Sequence, residues 1–173
     1  IHGKDRLEAV TIAKVDGNRR PIPETATTIP CDTLLLSCGL IPENELTKEA
    51  GIALDRVTGG AVVDGERETE IPGIFACGNV LHVHDLVGYV SEEAVIAGEA
   101  AVRYIKGEKQ HGMALKLVTD GKIRYTVPQK ITAAEKTKVY FRVSNVYRDV
   151  KIVVREGERV LLERRKQKVA PGE

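Results

Sequence analysis

Two segments of this 173-residue chain hold residue types whose spacing points to ligand chemistry. The first is Asp32-Thr33-Leu34-Leu35-Leu36-Ser37-Cys38-Gly39-Leu40-Ile41-Pro42-Glu43-Asn44, and the second is Thr69-Glu70-Ile71-Pro72-Gly73-Ile74-Phe75-Ala76-Cys77-Gly78-Asn79-Val80. Each reads as a buried strand that runs into a small residue and then glycine. Without a Cβ, the backbone at Gly39 and Gly78 can come close to a ligand. Asn79 follows Gly78 at the carboxyl end of its strand, the edge where open α/β sheets bind ligands. A helix opening at Ser91 offers free backbone N–H groups to an acceptor atom. His82-Val83-His84-Asp85 would place both rings on one face if extended. No third ligand group stands at a suggestive spacing, so the sequence assigns no metal. The alternatives for these histidines are the wall of a ligand pocket or plain loop polarity. No catalytic acid or base is assigned. Tyr89 reads as a packing residue, with ligand contact as the alternative. Cys31, Cys38 and Cys77 read as buried, inert thiols. Their irregular spacing excludes a disulfide scaffold and favours a reducing compartment, the cytoplasm.

The elements expected to position these residues are mixed. Leu7 to Lys14 and Thr25 to Ile29 read as a hairpin about the Asp16-Gly17-Asn18 turn. Leu34 to Ser37 reads as a strand buried on both faces, hence part of a parallel or mixed sheet covered by helices. Asn44 caps a short helix, Glu45 to Ala50, which Gly51 stops. Ala61 to Val63 and Ile74 to Ala76 read as two further short strands. The clearest helix runs from Ser91, its N-cap, to Ile105, and Gly107 ends it. Ala94, Val95, Gly98, Ala101, Val102 and Ile105 give it one thin apolar stripe. After Gly112 come short β-type runs at 115–118, 123–127, 138–143, 151–155 and 159–163, with one helical turn possible at 133–136. The tail from Arg164 reads as frayed. The expected fold class is therefore α/β over residues 1–110, followed by a small, basic antiparallel β domain over 111–173.

Composition narrows the function classes. Hydrophobic residues make up 42% and charged residues 29%, too apolar for disorder. No apolar run is long enough to span a bilayer. The net charge of +1 conceals a split: residues 1–114 hold 11 Lys and Arg against 18 Asp and Glu, net −7, and residues 115–173 hold 15 against 7, net +8. The basic half reads as a solvated face or as a docking surface for an acidic partner. Nucleic acid is not expected, because no recognition motif accompanies the charge. The chain opens Ile1-His2-Gly3 rather than with Met, and is expected to be part of a longer protein.

Taken together, the two glycine-tipped segments resemble the C-terminal part of the FAD domain of two-dinucleotide-binding-domain flavoproteins, the pyridine nucleotide–disulfide oxidoreductase superfamily. Ser37-Cys38-Gly39 resembles that superfamily's Ala-Thr-Gly motif, and Thr69 to Asn79 its second FAD motif. Leu7 to Lys14 resembles the last strands of the inserted NAD(P) domain. The resemblance covers about residues 1–106. It implies FAD and NAD(P)H as cofactors of the whole protein, with Cys38, Gly39, Gly78, Asn79, Val90 and Ser91 on the flavin side. Val90 and Ser91 would lie at a helix N-terminus aimed at the pyrimidine edge of the flavin, with Glu92 and Glu93 turned to solvent. Asn79 stands where the family has Asp, so a ribityl hydrogen bond loses its charge assistance. The G-x-G-x-x-G fingerprint and any Cys-x-x-Cys are absent from the sequence. This chain alone is therefore expected to bind FAD weakly or not at all. The implied reaction is an oxidoreductase step serving a small-molecule substrate or a partner dehydrogenase subunit, as in flavoproteins that act beside glycerol-3-phosphate dehydrogenases. Homo-oligomers are compatible with this. The alternative is a non-catalytic interaction module whose basic β domain docks a partner subunit or electron carrier.

Overall fold

The computed structural model describes residues 1–108, 113–132 and 136–172. They form two compact units, Ile1–Gly39 and Leu40–Glu173. The division expected at 110/111 falls inside the second unit.

In the first unit, β1 (Ala9–Ile12) pairs antiparallel with β2 (Thr27–Pro30), from Ala9 opposite Pro30 to Ile12 opposite Thr27. The Asp16 carboxylate closes the turn by accepting the N–H groups of Asn18 at 2.8 Å and Arg20 at 2.9 Å. The expected hairpin is thus present. The expected buried strand is not: residues 33–39 have no strand pairing, and Leu35 and Leu36 are 90% and 75% exposed. A strand buried on both faces needs flanking strands and two covering layers. The described residues supply only two-stranded antiparallel pairs, so the parallel or mixed sheet is replaced by small antiparallel ones.

In the second unit, α1 (Glu45–Glu49) follows Asn44 and ends at Ala50, with Gly51 at φ 74°. Asn44 sits at the N-cap, yet its side chain does a different job from capping. Its Nδ2 donates to the carbonyls of Gly59 (3.0 Å) and Val80 (2.9 Å), holding two distant loops together. The segments at 61–63 and 74–76 form isolated antiparallel bridges, Leu54 with Ala61 and Glu68 with Phe75, rather than strands. The core gathers Ile52, Ala61, Val63, Leu81 and Val127, with Leu54, Ile71, Ala76 and Tyr125 packed on it. Val127 comes from beyond residue 110, which is why the two halves of this unit share one interior.

The long helix α2 spans Val87–Lys106, one turn longer at its start than expected. Its C-terminus is closed by Gly107 in the left-handed region, φ 72°, with Glu108 N–H donating to Arg103 O at 2.9 Å. The buried face carries Glu93, Ala97 and Ala100. The apolar stripe expected to be buried lies on the far side of the helix and stays open, with Val95, Val102 and Ile105 at 57%, 49% and 83% exposure. Spacing of 3.6 residues per turn identifies a stripe but not the layer that covers it.

Beyond the helix, β3 (Ala114–Lys116) pairs with β5 (Lys130–Thr132), and β4 (Ile123–Val127) with β6 (Tyr140–Val143). A two-stranded hairpin, β7 (Tyr147–Glu156) with β8 (Arg159–Val169), follows. The tail expected to fray is the second strand of this hairpin up to Val169, because Arg164, Arg165, Lys166, Lys168 and Val169 each face a partner on β7. The helical turn expected at 133–136 lies largely outside the described residues.

Candidate functional site

The centre of the second unit is a buried carboxylate. Glu93 projects from the second turn of α2 and has no solvent exposure. The expectation that it faces water is therefore corrected. A carboxylate in an apolar interior needs compensating donors, and four groups converge on it. Arg67 Nε donates to Oε1 at 2.9 Å, and the backbone N–H of Gly78 donates to Oε2 at 2.8 Å. His84 Nε2 lies 2.9 Å from Oε2; the carboxylate can only accept, so this nitrogen carries the proton. His82 Nε2 lies 3.8 Å from Oε1, beyond hydrogen-bond range, and is buried without a hydrogen-bond partner. Burial works to raise the Glu93 carboxyl. His82, His84, Arg67 and the Gly78 N–H outweigh it and hold the group at about 2.

Arg67 is itself fully buried and sits at φ 68°, a conformation that costs a non-glycine residue on the order of 1–2 kcal/mol. The turn beneath it enforces this: Asp64 Oδ1 accepts the N–H groups of Glu66 and Glu68, both at 3.0 Å. The remaining guanidinium donors reach the carbonyls of Gly65 and Lys138, each at 3.2 Å. Thus Arg67 ties α2 to the chain entering β6. Tyr140 on β6 completes the wall, its ring 5.7 Å from His82 and 5.2 Å from His84, while Tyr125 on β4 packs edge-on to His82 at 5.8 Å. The two imidazoles lie 4.1 Å apart. Arg142 Nε donates to Tyr125 Oη at 2.9 Å, and its Nη2 donates to Val83 O at 3.1 Å and pairs with Asp85. Beside this cluster opens a cavity of about 220 Å³, lined by Leu40, Val57, His82, Arg124, Tyr125 and Arg142.

The site residues expected from sequence are partly assembled. Gly78, at φ 73°, packs against Val90: a Cβ there would come within 3.2 Å of Val90 Cγ1. The Gly78 N–H is spent on Glu93. Asn79 is exposed, and its Oδ1 accepts the His84 N–H at 3.1 Å. Ser91 is not a cap but a second-turn residue whose hydroxyl donates to Val87 O at 3.3 Å. The helix opens instead at Val87, with Leu86 at the N-cap and no side-chain cap hydrogen bond, and Val87 is 82% exposed. Cys38 and Gly39 belong to the first unit. Cys38 is exposed rather than buried, and Gly39, at φ 87°, has open space where a Cβ would stand. Tyr89 packs on Tyr140 at 5.9 Å. Sequence reasoning missed Arg67, Tyr125, Tyr140 and Arg142. The i, i+4, i+7 spacing of Glu93 with Ala97 and Ala100 was the available signal for Glu93; Arg67, flanked by Glu66 and Glu68, offered none.

The turn at Gly78–Asn79 and the start of α2 lie within a stretch that matches a known family. The pyridine nucleotide-disulphide oxidoreductase model matches residues 6–103, more than half of the chain, and the chain belongs to that family. It is 30% identical over 93 residues to ferredoxin–NADP reductase 1 of Lysinibacillus sphaericus, covering 51% of this chain and 26% of that protein. It is 37% identical over 80 residues to the ferredoxin–NAD(+) reductase component of the biphenyl dioxygenase system of Paraburkholderia xenovorans (46% and 16%), and 28% identical over 120 residues to the ferredoxin–NADP reductase of Leuconostoc mesenteroides (66% and 34%). The matched stretches thus span only 16% to 34% of these relatives' lengths. No solved structure matches the chain. Among the described residues, no helix is long and apolar enough to cross a membrane.

Proposed function

We propose that this chain supplies the flavin-side part of an FAD-dependent, NAD(P)H-linked oxidoreductase whose electrons pass to a ferredoxin-type carrier or a partner dehydrogenase subunit. The observation that carries this reading is the uncapped, exposed start of α2 beside the Gly78–Asn79 turn, within the segment that matches the family. Unsatisfied N–H groups at a helix N-terminus favour an acceptor that gains negative charge. FAD, when bound, supplies hydride and single-electron chemistry. The chain's own part is positioning. Asn79, its Oδ1 already accepting from His84, has its amide hydrogens left for the ribityl chain. Val87 to Val90 would face the pyrimidine edge, and Ser91, one turn in, supports them. Cys38 and Gly39 are assigned by their motif. Glu93 fixes the turn from behind through the Gly78 N–H, and no acid or base of this chain is given a catalytic role. The three free cysteines accord with a reducing compartment such as the cytoplasm. The test is purification of the protein encoded by the complete gene. A yellow protein with bound FAD is expected, with Asn79→Ala lowering flavin affinity at least several-fold. A colourless protein that takes up no added FAD overturns the proposal.

A second reading, docking of an acidic partner by the basic hairpin, is favoured by one feature. Arg148 stands opposite Lys168 and Lys151 opposite Arg165, a basic cluster in which Lys151 is paired with Glu163 at 2.9 Å. Binding of an acidic electron carrier that weakens steeply with added salt is expected; salt-independent affinity ends this reading.

A further inference from the structure

We propose that His82, His84 and Glu93 form a binding site for one divalent transition-metal ion of the zinc type, independent of the flavin reading. The three ligand groups come from two elements, the 81–86 loop and α2, and their ligating atoms all lie within 4.8 Å of one another. The distances already measured around Glu93, 2.9 Å to His84 Nε2 and 3.8 Å to His82 Nε2, straddle the separation of about 3.4 Å that neighbouring donors take around an ion bound at 2.0–2.1 Å.

Arg67 and Gly78 do not close the site. Each takes one lone pair, Arg67 on Oε1 and Gly78 on Oε2, and the second lone pair of each oxygen faces a histidine. That is how a ligating carboxylate is held by its outer partners. The independent sign of a ligand is His82. Its Nε2 is buried, lacks any hydrogen-bond partner, and points at the carboxylate from beyond hydrogen-bond range. A buried imidazole nitrogen left this way loses its hydration for nothing, and coordination satisfies it. Neutral imidazoles with a carboxylate suit zinc and its neighbours rather than magnesium or calcium, which take oxygen ligands. Binding requires both imidazoles to present a lone pair at Nε2, any proton there moving to the ring's own Nδ1 or to water. A small cavity of about 60 Å³, walled by Tyr89, Tyr125 and Tyr140, adjoins the two rings and leaves room for a water as fourth ligand.

The experiment is equilibrium dialysis of the purified protein, stripped with chelator, against Zn²⁺, with metal analysis and FAD content measured separately. One zinc per chain is expected, with affinity lowered at least tenfold in His82→Asn and in His84→Asn. His82 packs on His84, Tyr125 and Tyr140, so the fold of His82→Asn is checked by its melting before its zinc affinity is read. X-ray absorption of the zinc-loaded wild type gives a second readout that needs no variant, a first shell with two imidazole nitrogens and no sulfur. No stoichiometric zinc, undiminished binding by both variants, or a sulfur-containing shell from Cys77 overturns the proposal. Absence of FAD from the protein of the complete gene, with zinc retained, would count against the flavin reading alone.

Discussion

Replacing Glu93 with Gln removes one charge and little volume, so it isolates the electrostatics of the buried cluster. In the wild type, Arg67 has no solvent exposure and its Nε is matched by Glu93 Oε1 at 2.9 Å. In Glu93→Gln the guanidinium stays buried beside a neutral amide that accepts through only one oxygen. Two routes give the size of the loss. The carboxyl is held at about 2 against 4.5 for a free side chain, which corresponds to about 3 kcal/mol of stabilisation in the ionised state. Removing one partner of a buried pair costs about 3–5 kcal/mol. The expected loss is therefore about 3–5 kcal/mol at pH 7, a fall in melting temperature of roughly 6–20 °C. Because the folded value lies below the unfolded one, this stabilisation is complete above pH 4.5 and is lost as pH falls towards 2. Urea titrations of both proteins in chelator, at several pH values, measure it. The gap between their midpoints should close between pH 4.5 and pH 2 as the wild-type carboxyl takes up its proton. Equal midpoints at pH 7, or a gap that persists unchanged at pH 2, would refute the assignment of Glu93 as the ionised hub.

Glu92 provides the contrast, since it is the neighbouring residue on the same helix. It pairs with Lys138 while both are about half-exposed, and exposed pairs add little; Glu92→Gln should unfold at the wild-type urea concentration, and a shift approaching that of Glu93→Gln would contradict the burial pattern of α2. Gly60→Ala should destabilise by at least about 1–3 kcal/mol, because its Cβ would fall on the carbonyl of Leu81, itself in the core. Unchanged thermal melting of that variant would mean that the 60 and 81 loops are not in contact.

What the sequence determined by itself was whatever depends on neighbours along the chain. The β1–β2 hairpin followed from alternation and the Asp16 turn, the short helix from Asn44 and Gly51, and the end of α2 from Gly107. The family resemblance was legible for a related reason: the Ser37-Cys38-Gly39 and Thr69–Asn79 motifs are local strings of residues. Tertiary structure decided the rest. Leu34 to Ser37 read as a buried strand, but a strand exists only with a partner, and the described residues supply none. The apolar stripe of α2 was correctly located and wrongly buried, because periodicity does not say which face meets a neighbour. The same contest placed Glu93 inward. Arg67 lies 26 residues before Glu93 and the Lys138 carbonyl lies 71 residues beyond Arg67. No local pattern encodes such pairings; they arise when burial of a charge forces every donor within reach to turn towards it.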